Sequence, residues 1–144
     1  MVCIKTMIEY MKQQSEGLAV YQTDSIEFYR MSTLRYIKLK CEHALFTYDG
    51  YIKSCKKMFN SSYKIPVIID DETMLIPCGN TRLYETIWVN YPAIKSISEC
   101  SEGIYFTFIS GRELKLKITR TIWMRQLGDL IRITNTKVKH FHGH

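Results

Sequence analysis

Residues 104–135, IYFTFISGRELKLKITRTIWMRQLGDLIRITN, decide the fold class. Ile104, Phe106 and Phe108 alternate with Tyr105 and Thr107, Ser110-Gly111 turns the chain, and Leu114, Leu116 and Ile118 alternate with Lys115 and Lys117. Alternation on both arms of a short turn predicts an antiparallel hairpin with one face in the core. The period then changes. Thr119 is placed to cap a helix running to about Asn135, with Trp123, Leu127, Leu130 and Ile131 at i, i+4, i+7 and i+8. Arg125, Asp129 and Arg132 line its other side. Gly128 within it costs roughly 1 kcal/mol against alanine, so packing must hold this helix.

Working back toward the N-terminus, residues 93–100 form a weaker strand, and residues 84–91 alternate until Pro92 stops them. Residues 65–69 and 74–76 are apolar runs around Asp70-Asp71-Glu72, which predicts a second hairpin closed by Pro77. Residues 78–82 then make a loop. Residues 25–48 read as strands: Ile37, Leu39 and Cys41 alternate with Lys38 and Lys40, residues 44–48 follow, and Asp49-Gly50 is a turn signal. Ile4, Met7, Ile8 and Met11 fall at helical spacing, which predicts an amphipathic first helix ending near Gly17, before a short strand at 18–22. The expected architecture is α+β: a mainly antiparallel sheet with a central short basic helix and a C-terminal helix. Residues 1–136 are expected to form a single domain and residues 137–144 a flexible tail.

The central helix is residues 51–64, YIKSCKKMFNSSYK. Ile52, Cys55 and Phe59 fall on one side, Lys53, Lys56 and Lys57 on the other, with Asp49 as the expected cap and Asn60-Ser61-Ser62 as the end. Net charge is +6, and it is localised. Residues 1–50 carry six basic and six acidic residues; residues 51–64 carry four lysines and no acid; residues 119–144 carry five basic residues and one acid. Charge gathered in two segments favours a localised anion-binding surface.

Other classes find little support. The five cysteines are odd in number and have no CxxC spacing, so they read as reduced and mostly buried, with Cys41, Cys55 and Cys100 standing where small apolar residues would serve. No metal site and no cofactor are expected: ligand pairs at zinc spacing are missing, Asp70-Asp71-Glu72 reads as solvated, and His140, His142 and His144 lie at the chain end. His43 is the one histidine outside that end, and no nucleophile elbow or phosphate-binding loop occurs, so an enzyme is not expected. No secretory signal or membrane-spanning run is seen, which points to a cytoplasmic, nucleoid-associated protein with no membrane partner.

At SCKKMFNSSY (54–63), TRLYETIWV (81–89) and RTIWMRQLGDLIRI (120–133) the sequence resembles the ComK family of competence transcription factors, with those blocks in the family's order. The similarity covers about residues 40–135. The stretch joining Tyr63 to Ile65 is shorter than the family's, and the C-terminal extension that carries a docking sequence for a proteolysis adaptor is missing after about Asn135, so that adaptor is left open as a partner. The resemblance implies an activator that binds paired A/T-rich boxes of double-stranded DNA, mainly through the minor groove, as homodimers or higher oligomers. Arg82, on its Gly-Asn-Thr-Arg loop, is then the expected groove-reading side chain, with Asn80 and Thr81 as hydrogen-bonding neighbours. Lys53, Lys56, Lys57 and Lys64 are expected on phosphates, Ser61, Ser62 and Tyr63 beside them, and Arg120 and Arg125 extending the track. Two alternatives stand beside this reading. One is a basic RNA- or single-strand-binding module, with Tyr84, Tyr91 and Tyr105 as stacking candidates; the other is an adaptor docking an acidic protein.

Overall fold

The computed structural model describes residues 6–59, 64–79 and 86–142, the last five as backbone only. The chain is α+β, as the alternation predicts. A six-stranded sheet holds β1 (Ile8–Gln14), β2 (Gly17–Gln22), β3 (Ile26–Tyr29), β4 (Val67–Asp70), β5 (Thr73–Cys78) and β6 (Ile87–Asn90) in the order β3-β2-β1-β6-β5-β4, every neighbouring pair antiparallel. A second antiparallel sheet holds β7 (Ile94–Cys100), β8 (Gly103–Phe108) and β9 (Glu113–Leu116).

Helix α1 (Thr33–His43) covers one face of the large sheet, burying Tyr36, Ile37 and Cys41 against Met11, Leu18, Val20 and Leu75. The small sheet and α3 (Arg120–His142) cover the other, with Phe106, Phe108, Trp123 and Leu130 meeting Tyr10, Ile76 and Val89. Trp88 and Trp123 are both core residues, one in each layer. Helix α2 (Tyr48–Phe59) lies at the β4 edge, where Tyr51 touches both layers.

Several expectations are corrected. The first segment is not a helix but β1, a central strand whose residues Ile8, Glu9, Tyr10 and Met11 are all buried. A strand covered on both faces loses the alternation that would identify it, and the helical spacing of Ile4, Met7, Ile8 and Met11 is coincidental. The turn into β2 needs Gly17, where a Cβ would stand 2.3 Å from the Tyr29 carbonyl oxygen.

Second, β3 is a strand but residues 33–43 are helical. Ser32 caps α1, accepting from the Arg35 N–H at 3.1 Å, and the buried set Thr33, Tyr36, Ile37 and Cys41 has helical spacing, while Leu39 is exposed. Residues 44–48 do not form a strand: 44–47 close α1 and Tyr48 opens α2, with Phe46 N–H donating to Cys41 O, Leu45 N–H to Glu42 O, and Leu45 left-handed at φ 69°.

Third, Asp49-Gly50 is inside α2. The cap is Thr47, whose hydroxyl accepts from Gly50 N–H at 3.2 Å, and Asp49 sits in the first turn, 3.8 Å from Lys38.

Fourth, Pro77 does not end β5. It lies opposite Trp88 in β6, while the pairing to β4 stops at Leu75, so its missing N–H is not called on from that side. At the far end of the same sheet region, Tyr91 belongs to a 3-10 turn (Tyr91–Ala93) and not to β6.

Helix α3 is capped as expected, Thr119 accepting from Ile122 N–H at 3.1 Å, but it continues past Asn135 to His142. Thr134 and Thr136 donate to carbonyls one turn back, and Lys137 Nζ reaches Ile68 O at 2.8 Å, which ties this part of the helix to β4. Its buried face is Trp123, Gln126, Asp129, Leu130 and Ile133, whereas Ile131 is 58% exposed. Gln126 is accommodated by donating to Pro77 O at 2.9 Å. No side chain would meet a Cβ at Gly128. Gly128→Ala is therefore expected to add roughly 1 kcal/mol to stability, read as a higher denaturant midpoint at unchanged slope.

Cys41, Cys55 and Cys78 are buried, but Cys100 is exposed at the end of β7, against expectation. Burial pushes the Cys41 thiol up to about 11 and the Cys78 thiol to about 12. Since the thiolate is the nucleophile, a thiol reagent at pH 8 is expected to label Cys100 well before Cys41, Cys55 or Cys78, which mass spectrometry of the digested product checks.

Candidate nucleic-acid interface

The apolar stripe of α2 is pinned as its spacing predicts. Cys55 is buried and, with Phe59, closes on Ile65, Asp129 and Ile133. Tyr51 fixes the other end of the helix. Its hydroxyl donates to Pro66 O at 2.7 Å and accepts from Ile68 N–H at 3.1 Å. Lys53, Lys56 and Lys57 are thereby held on the outer side, all exposed, and among the described residues none of them is ion-paired. Three ammonium groups stand on one helical face with no carboxylate paired to them among the described residues, a charge pattern that attracts polyanions.

Lys64 is half-buried and left-handed at φ 53°, one of two such non-glycine residues among those described. Its charge reaches Cys78, the last residue of β5. The start of β4, the end of β5 and the start of β6 lie at one end of the sheet, since Val67 pairs with Leu75 and Cys78 with Ile87. Lys64 and Gly79, which flank the two sequence-predicted contact loops, therefore leave from that shared end. Ser61, Ser62, Tyr63, Asn80, Thr81 and Arg82 lie outside the described residues, as do Tyr84 and Glu85.

The first half of α3 crosses the same end, anchored by the Gln126 bond to Pro77 O. Arg125, next to that anchor, is exposed and unpaired among the described residues. Arg120 is exposed too, but its Nε sits 3.2 Å from Glu99 on β7, so a phosphate would compete with a carboxylate there. Arg132 pairs with Asp129 at i, i+3. Arg125 thus stands one position from the Gln126 anchor at the sheet end shared by Lys64 and Gly79, while Arg120 and Arg132 have partners.

A feature without a sequence signal lies at the far end of α2. Lys137 Nζ stands 4.8 Å from the Phe46 ring centre and 5.1 Å from that of Tyr51 while it donates to Ile68 O. Partial burial lowers its pKa, an effect opposed by the nearby Cys55 and Cys41 thiols. The groove beside it, about 1110 Å³ between α2, the β4–β5 turn and α3, is largely apolar and carries Asp70 and Asp71 on its lip. That acidic lip disfavours phosphates in the groove.

Among the described residues no group of three His, Cys, Asp or Glu side chains could hold a metal ion, and no helix is long and apolar enough to cross a membrane. Tyr105 and Tyr91 are exposed, but they belong to β8 and the 3-10 turn and not to the lysine helix. Searches against curated proteins and against solved structures match nothing. Over residues 2–138 the sequence matches the family model described as ComK protein, and with nearly its whole length inside that match the chain belongs to the ComK family of competence transcription factors, a family of regulators and not of enzymes.

Proposed function

We propose that the chain regulates transcription by binding A/T-rich boxes of double-stranded DNA largely through the minor groove, with two or more copies acting on paired sites. The observation that carries this reading is the lysine face of α2, unpaired among the described residues, with exposed Arg125 one position before the Gln126 that bonds Pro77 near the end of β5. Lys53, Lys56, Lys57 and Arg125 supply the sequence-independent attraction to phosphates, with Lys64, Ser61, Ser62 and Tyr63 alongside. Arg82 supplies discrimination: a narrow A/T minor groove concentrates negative potential and favours an inserted guanidinium. Asn80 and Thr81 provide hydrogen bonds to base edges or sugar. Since the minor groove separates A·T from G·C and little else, useful selectivity requires two boxes read together.

Competition at low ionic strength tests the proposal. A labelled A/T-rich duplex is expected to be retained against an excess of the same sequence as a single strand, and to be released steeply as salt is raised. Preferential loss to the single strand would favour a stacking module instead; no retention of any nucleic acid would leave the basic face to a protein partner.

A further inference from the structure

The two edges of the six-stranded sheet are finished differently. At β4, Pro66 O, Ile68 N–H and Ile68 O are satisfied by the Tyr51 hydroxyl and the Lys137 ammonium. That is how an edge is guarded against pairing with another strand. At the opposite edge, β3 has no such cover. Gln22 N–H donates to Ser25 O at 2.8 Å, which sets the phase of the β2–β3 ladder: residues 25, 27 and 29 bond inward to β2, and the amides and carbonyls of Ile26 and Phe28 point outward. None of the described residues hydrogen-bonds them. The side chains on the same positions are apolar and exposed, Ile26 at 45% and Phe28 at 69%.

We infer that β3 is the surface through which two copies of this chain associate, pairing antiparallel across a two-fold axis into one continuous sheet. The charges at its ends favour a second copy as the occupant. Asp24 and Arg30, both exposed, flank the strand. Of the registers that pair the outward residues 26 and 28, the one placing Ile26 opposite the partner's Phe28 centres the two-fold axis on Glu27, and so brings the turn carrying Asp24 in each copy toward the end of β3 carrying the partner's Arg30. Each Ile26–Phe28 pair exchanges both of its backbone hydrogen bonds, and both apolar side chains leave water. The same register puts Glu27 against the partner's Glu27 on the other face of the sheet, where each carboxylate already accepts from the Tyr29 hydroxyl of its own chain. That like-charge contact opposes the pairing and keeps so short an interface weak in the free protein.

The inference names the self-partner surface for the paired-site reading above, but it is tested without DNA, so either can fail alone. Sedimentation equilibrium of the full chain over rising concentration is expected to show a reversible monomer–dimer equilibrium. Phe28→Lys is expected to weaken it at least tenfold, and Arg30→Glu to weaken it several-fold. Asp24→Lys together with Arg30→Glu is expected to recover most of that loss, and Glu27→Gln to tighten association beyond the natural chain. Circular dichroism confirms that these exposed substitutions leave the fold intact. A natural chain that stays monomeric throughout, a Phe28→Lys variant that dimerises as well as the natural chain, or a charge-reversed pair that fails to recover would each overturn the inference.

Discussion

Arg112→Ala is expected to destabilise the fold by about 3–5 kcal/mol, the cost of stripping the partner from a buried charge. Glu9 is fully buried on β1, and its carboxylate accepts from Ser110 N–H at 3.0 Å, Ser110 Oγ at 2.8 Å and Arg112 Nε at 3.1 Å. Arg112 continues to Gln22 O at 3.1 Å and lies 5.2 Å from the Tyr21 ring centre. This cluster is the polar fastening between the large sheet and the turn joining β8 to β9. Without Arg112 the buried carboxylate keeps two neutral donors but loses its counter-charge. A loss of that size is a large part of the roughly 5–15 kcal/mol that holds a typical domain. Urea unfolding checks it. Glu9→Met combined with Arg112→Met removes both charges, and the double variant is expected to lose less than Arg112→Ala alone. A cost under about 1 kcal/mol for the single variant would mean that the cluster does not fasten the two sheets.

Replacing Lys53, Lys56 and Lys57 together by alanine is the second large expected effect, and it falls on binding. Each neutralised phosphate contributes about 0.9 to the slope of log K against log salt, so three lost contacts are expected to lower that slope by about 2.7 on any duplex sequence. The three side chains are exposed and, among the described residues, unpaired, so the unfolding midpoint should stay nearly unchanged. Equilibrium titrations at several salt concentrations give the slope directly. An unchanged slope with weaker binding would place the helix away from the phosphates.

What could be read from the sequence, and what could not, divides along chain distance. The hairpins β4–β5 and β8–β9 and the capped start of α3 are legible because each is a local pattern whose partner lies a few residues away. The lysine face of α2 is legible for the same reason: helical spacing alone puts Cys55 inward and the three lysines outward. The strand β1 is hidden because burial on both faces erases alternation. The helix α1 is hidden because its inner face includes Thr33 and Tyr36, while Ile37, Leu39 and Cys41 happen to alternate. Neither Lys137 beneath Ile68 nor Glu9 beside Ser110 has any sequence signal, since 69 and 101 residues separate the partners and only the folded chain joins them. Arg120 shows the converse limit, a cation legible in sequence whose neighbour Glu99 was not.

The central proposal is that the Arg82 guanidinium senses the narrow groove of A·T-rich DNA. Titrating the natural chain and Arg82→Ala against two duplexes of equal length, one all A·T and one all G·C, at one fixed ionic strength tests it most directly. The natural chain is predicted to favour the A·T duplex, and Arg82→Ala to weaken that complex alone until the two affinities converge. No preference in the natural chain, or equal losses on both duplexes, would contradict it.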